Sequence, residues 1–156
     1  MTSRFQVVPA AYVLCLRRHQ DRTEVLLQLR QNTGYRDGHW ACAAAGHIEE
    51  SEPADLAAVR EAGEELGIRI DPADLAPLTA MHRTHANGRP IDERADFFFT
   101  CRTWQGTPQL MEPEKAAALD WFALADLPQP LVPHEEQVLR LLHRDEVPAF
   151  LTFGFD

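Results

Sequence analysis

Between Gly46 and Ile68 the chain concentrates seven carboxylates (Glu49, Glu50, Glu52, Asp55, Glu61, Glu64 and Glu65) against a single base, Arg60. The stretch is punctuated as a helix. Ser51 or Glu52 is placed to cap it, Pro53 suits the first helical position, and Gly67 stops it after Leu66. At about 100° per residue, Leu56, Val59, Gly63 and Leu66 fall on one side, the expected packing stripe. Glu61, Glu64 and Glu65 fall on the other, as neighbours at i, i+3 and i+4 whose like charges repel. A solvated acidic face accommodates that repulsion, and so does a hard divalent cation, which prefers oxygen ligands and keeps some of its waters.

The charge is unevenly spread. The 156 residues carry a formal charge of −9, and Gly46–Ile68 alone accounts for −6 of it. So acidic a surface is a poor partner for nucleic-acid backbone or an anionic membrane. Apolar residues at 45% and charged ones at 25% fit a globular domain and exclude a disordered or coiled-coil chain. No apolar run reaches the length of a membrane span. The early apolar stretch VVPAAYVLCLRR closes on a basic pair with no clean cleavage site, so no secretory signal is expected. Cys15, Cys42 and Cys101 are odd in number and lack CxxC spacing, which fits buried thiols in a reducing cytoplasm.

Apolar runs at Val7–Leu16 and Glu24–Leu29 flank the polar HQDRT stretch and predict a β-hairpin. Further strands are expected at Leu78–His85, Ala95–Arg102 and Leu119–Leu124, with a second helix near Glu135–His143. Strands mixed with two unequal helices predict an α/β (α+β) sandwich, a mixed sheet between helices, with residues 1–156 as one domain. His82 and His85, three apart in an expected strand, fall on opposite faces and make no paired metal site.

The segment GHIEESEPADLAAVREAGEELGI resembles the Nudix box, G-x5-E-x7-R-E-U-x-E-E-x-G-U, with U an aliphatic or bulky apolar residue. Gly46, Glu52, Arg60, Glu61, Glu64, Glu65, Gly67 and Ile68 occupy its fixed places and Ala62 its first U. The W-x5-G approach from Trp40 and the later Trp121–Phe122 pair are similar to the same family. His47 stands where the family often has a second glycine; on base rates it is a surface histidine.

The resemblance implies a Nudix-type α/β/α sandwich and a divalent-metal-dependent attack of water on phosphorus in a nucleoside diphosphate linked to X. The cation would be Mg²⁺, with Mn²⁺ as a substitute. Carried over residue by residue, Glu61, Glu64 and Glu65 become the main metal ligands, with the Gly46 carbonyl and Glu52 as further contributors. Arg60 would hold Glu52 and Glu61 in place by bidentate hydrogen bonds. The general base stays open among Glu61 and Glu64 on the helix and Glu112 and Glu114 in the loop before Trp121.

Marks of several subfamilies are absent. Met81–Arg83 replaces the proline of ADP-ribose hydrolases, and His85 or Ala86 the tyrosine of the diadenosine-polyphosphate branch. The coenzyme A and NADH patterns are missing too. Elimination leaves a MutT-like hydrolase of canonical or oxidised nucleoside triphosphates, yielding a nucleoside monophosphate and pyrophosphate. His134 is then the expected base contact, with Trp40, Phe97 and Trp121 as candidate stacking surfaces. The partner is a small nucleotide, neither nucleic acid nor membrane, and a homodimer is common in the family. Alternatives are a hydrolase of ADP-ribose or a nucleotide sugar, a non-catalytic nucleotide sensor, and an interaction module whose acidic helix is only a solvated face.

Overall fold

The computed structural model describes residues 3–156. Strands β1 (Val8–His19) and β2 (Arg22–Arg30) form the expected hairpin, longer than its apolar runs. Only Gln20 and Asp21 lie between them, both at positive φ (51° and 61°), the conformation a two-residue hairpin turn demands. The polar end stays in register because buried Glu24 accepts from Arg17 Nε at 2.8 Å and from Arg22 Nη2 at 3.2 Å.

Six more strands follow: β3 (Trp40–Cys42), β4 (Ala44–His47), β5 (Leu75–Arg83), β6 (Arg94–Cys101), β7 (Ala116–Ala123) and β8 (Phe150–Phe153). Helices α1 (Ala54–Leu66) and α2 (Pro133–His143) complete the chain's main elements. The sheet runs β3-β2-β1-β6-β5-β8, with β4 paired to β1 and β7 to β2. It is mixed: β1–β6 and β5–β8 are parallel and the other pairings antiparallel. His85 falls beyond the end of β5, so the expected strand to that residue stops at Arg83.

The side chains of β1 alternate between two cores. Ala11, Val13 and Cys15 pack against α1, while Tyr12, Leu14 and Leu16 pack with Val138 and Leu139 of α2. The expected sandwich of a mixed sheet between helices is what forms. All three cysteines are buried free thiols.

The packing stripe of α1 departs from the hydrophobic wheel. Its buried residues are Ala57, Ala58, Ala62 and Leu66, whereas Leu56 is 46% exposed and Gly63 is exposed. Small side chains let the helix approach β1 and β4 closely, and closeness outweighs the larger transfer energy of one leucine. The expected cap also differs. Pro53 itself is the N-cap, with no side-chain bond; Ser51 sits in the left-handed region at φ 64°, and Glu52 turns to Arg60. Gly67 does end the helix in that region (φ 67°), its N–H donating to Gly63 O at 3.0 Å.

Candidate active site

Turning α1 onto its alanine face swings two glutamates inward. Glu65 Oε2 accepts the Ala45 N–H of β4 at 2.7 Å. Burial pushes its carboxyl up to about 8, with the charges of Glu61 and Glu112 adding to the effect. Glu61 lies against Gly46, so closely that a Cβ there would fall on its carboxylate. Burial raises Glu61 as well, against the pull of Arg60. Glu64 remains outside, its side chain 56% exposed. The three carboxylates therefore do not share one outer face as the wheel had them: two look toward the sheet and one toward solvent.

Arg60 ties this arrangement together. It grips Glu52 with two parallel bonds, Nε to Oε2 at 2.7 Å and Nη2 to Oε1 at 2.9 Å. The same guanidinium donates to Glu61 at 2.9 Å, Glu64 at 3.3 Å and the His47 carbonyl at 3.1 Å. These Arg60 hydrogen bonds hold Glu52 down at about 2. Arg60 thus locks the 47–52 loop to the helix, the positioning role its place in the motif implied.

Of the loop acids, Glu112 faces this cluster, its charge acting on both Glu61 and Glu65, and it pairs with Lys115 at 3.1 Å. Glu114 is exposed and contributes only its backbone carbonyl, to Asn32. The donor set, all carboxylate and carbonyl oxygen on a rigid helix beside a glycine cradle, suits a hard divalent cation. Among the described residues no three acidic, His or Cys side chains converge on one point, and Arg60 bridges Glu52, Glu61 and Glu64.

Beside Gly46 and Glu65 opens a cavity of about 470 Å³, within the size range of small-molecule sites. Its far wall carries His134, expected as a substrate contact, and Tyr12, whose hydroxyl lies 3.0 Å from His134 Nε2. Arg83 donates to that hydroxyl at 3.4 Å and to fully buried Asp96 at 2.8 Å. Burial, reinforced by the Arg83 charge, depresses His134 well below its ordinary value, so its 4.0 Å approach to Asp96 is not an ion pair at neutral pH. Neighbouring Glu135 accepts the Cys42 N–H at 2.6 Å, and burial raises it to about 7. Exposed His47 sits on the cavity wall.

The expected aromatic contacts lie elsewhere. Trp40 packs edge-on against Phe122, with ring centroids 4.7 Å apart. Trp121 stacks with Trp104 beneath Arg17, and Phe97 is 37% exposed; none of the three lines the cavity. Trp40 and Trp121 are occupied in packing their own parts of the sheet, and Phe97 stands exposed on its strand. The aromatic rings that do line it are Tyr12 and Tyr35, and Arg30, Arg83, Arg94 and Glu135 were likewise missed. An acid ahead of an aromatic triplet, Asp96 before Phe97–Phe99, was the only trace in the sequence of this buried charge.

The NUDIX domain family model matches residues 7–142, and the chain belongs to the Nudix family as a Nudix hydrolase. A MutT NUDIX hydrolase from Burkholderia pseudomallei is 29% identical over 86% of this chain and 97% of its own, with a TM-score of 0.72. The ORF135 protein of E. coli is 25% identical, over 92% of this chain and 96% of that one, at 0.64. The NUDIX domain of Shewanella oneidensis NrtR, solved with ADP ribose, shares the fold at 19% identity, covering 90% and 88%, at 0.71. No curated protein matches. Nudix hydrolases generally use divalent metals and act on small nucleotide substrates. Among the described residues no helix is long and apolar enough to cross a membrane.

Proposed function

We propose that this protein is a Mg²⁺-dependent pyrophosphohydrolase, with Mn²⁺ as a substitute, that cleaves a nucleoside triphosphate to the monophosphate and pyrophosphate. The observation that carries this reading is the inward turn of Glu61 and Glu65 onto β4 at Gly46, at the edge of a cavity lined by Arg30, Arg83 and Arg94. Glu61, Glu64, Glu65, Glu52 and the Gly46 carbonyl would hold the cation, which when bound polarises phosphorus and lowers the pKa of water. Arg60 keeps Glu52 and Glu61 oriented before substrate arrives, so little reorganisation is left for the reaction. Among the base candidates, the raised proton affinity of Glu61 and the facing position of Glu112 favour these two over exposed Glu64 and Glu114. His134, neutral and fixed by Tyr12, contacts the nucleoside end.

A second reading, a hydrolase or non-catalytic binder of ADP-ribose or a nucleotide sugar, draws on the Shewanella domain solved with ADP ribose. The two separate in a phosphate-release panel of nucleoside triphosphates, ADP-ribose and nucleotide sugars, with Mg²⁺ or EDTA and with pyrophosphatase to reveal pyrophosphate. The expected result is Mg²⁺-dependent pyrophosphate release from a triphosphate, reduced about a hundredfold or more in Glu64→Gln and Glu65→Gln proteins that still fold. Wild-type rates in both variants would refute the metal-helix assignment, and turnover confined to ADP-ribose would select the second reading.

A further inference from the structure

Between β6 and β7, residues 102–115 form neither helix nor strand, so their course is set by what their backbone groups are bonded to. This connection carries Glu112. One side of it is tied to α1. The Gln109 N–H donates to Leu66 O at 3.0 Å and the Met111 N–H to Glu65 O at 3.1 Å, satisfying two carbonyls that the end of a helix leaves free.

The other side is tied to the two residues that follow β2. Gln31 gives its backbone N–H to Lys115 O at 3.0 Å and its side-chain Nε2 to Pro113 O at 3.0 Å. Asn32 Nδ2 donates to Glu114 O at 3.1 Å. Three consecutive carbonyls are thus taken by two consecutive residues, and the Lys115 N–H closes the turn onto Glu112 O at 3.0 Å. Asn32 sits at φ 57°, a left-handed conformation that asparagine accepts more readily than most residues.

All of these bonds reach backbone, so they fix where the loop runs and leave the Glu112 side chain free to pair with Lys115 at 3.1 Å. With Glu65, Arg30 and Lys115, Glu112 lines a cavity of about 50 Å³, roomy enough for water beside the helix. A general base must lie within hydrogen-bond reach of the water it activates. The side-chain bonds of Gln31 and Asn32 are solvent-exposed and add little to the fold. A reacting group displaced by 1 Å, in contrast, costs about a hundredfold in rate.

We infer that Gln31 and Asn32 are positioning residues for hydrolysis: they hold residues 112–115 so that Glu112 stays beside Glu65 at the carboxylate cluster. The inference rests on the pyrophosphohydrolase reading and deepens it, since both amides act on the reaction through Glu112.

The test compares wild type with Gln31→Met, which keeps the length and loses the donor, and Asn32→Gly, which keeps the left-handed backbone and loses the donor. Each is also made in a Glu112→Gln background, with folding checked by thermal melting. In metal-free protein, the Met111 and Lys115 amides should exchange with deuterium about fivefold faster in either variant, the equivalent of one hydrogen bond. With Mg²⁺ and a nucleoside triphosphate, kcat should fall about tenfold to a hundredfold while KM stays within about twofold. In the Glu112→Gln background the same substitutions should cost nothing further, because the group they place is gone. An unchanged kcat, a rise in KM alone, or an equal loss in the Glu112→Gln background would overturn the inference with hydrolysis intact. Wild type without turnover on any substrate would remove the hydrolase reading instead, and faster exchange in the variants would still uphold the hold of Gln31 and Asn32 on the Glu112 loop.

Discussion

Gly46→Ala separates the demands of folding from those of chemistry at a single atom. Gly46 lies in β4 without a positive φ, so its backbone accepts alanine. The nearest atoms the new Cβ would meet are those of the Glu61 carboxylate, the end of a flexible side chain. Restoring ordinary van der Waals separation requires the carboxylate to retreat by about 1 Å. The retreat stretches the 2.9 Å bond from Arg60, a part-buried contact worth about 1 kcal/mol. A ligand or base displaced by that distance costs about a hundredfold in rate. Urea unfolding in EDTA should therefore show a loss near 1 kcal/mol, while Mg²⁺-dependent kcat/KM falls about two orders of magnitude. Activity close to wild type would show that the position of Glu61 does not matter to catalysis. A stability loss well above the Arg60 contact would show that the strand, not the carboxylate, absorbs the clash.

Two further outcomes concern stability. Burial raises the Glu135 carboxyl to about 7, so between roughly 4.3 and that value the folded protein keeps a proton the unfolded chain has released. Stability then falls as pH climbs through this window, with Glu65 adding a slope of the same sign toward 8. Glu135→Gln keeps an acceptor for the Cys42 amide and cannot ionise; it should gain up to about 3 kcal/mol above pH 7 and converge on wild type near pH 4, read from urea midpoints. Parallel pH curves for the two proteins would contradict this. Asp96→Asn strips the counter-charge from Arg83, whose side chain is 4% exposed, and should cost about 3–5 kcal/mol by chemical denaturation; a near-neutral effect would mean that the pair is solvated.

How much of this was legible in the sequence depended on how local each signal was. The ends of α1 are written in Pro53 and Gly67, and the hairpin in alternating apolar runs, so both were recognisable. The strands β3 and β4, made of Trp, Cys, Ala, Gly and His, carry no β-branched residue, and they exist because β1 and β2 offer free edges. The orientation of α1 was misjudged because the wheel weighs side-chain transfer energy and ignores how near a helix can come to a sheet. Motif spacing identified Glu61, Glu64 and Glu65, but not that Glu64 stays exposed while the other two are drawn toward the sheet. The cavity was least legible. Tyr12, Arg30, Arg83, Arg94 and Glu135 come from four strands and a helix, and Tyr12 meets His134 across 122 positions. No periodicity spans such a distance, and conspicuous aromatics such as Trp40 drew attention instead.

The double commitment of β1 also divides how this protein can change over generations. One row of its side chains seats the carboxylate-bearing helix and the other includes Tyr12 of the cavity. Each substitution on this strand meets one or the other of two buried neighbours and has almost no room to drift. Thr33, Tyr35, His85 and Ile91, on connections outside the strands, border the same cavity with no such obligation. Novelty in what is bound can accumulate there, residue by residue, while the inherited machinery stays seated.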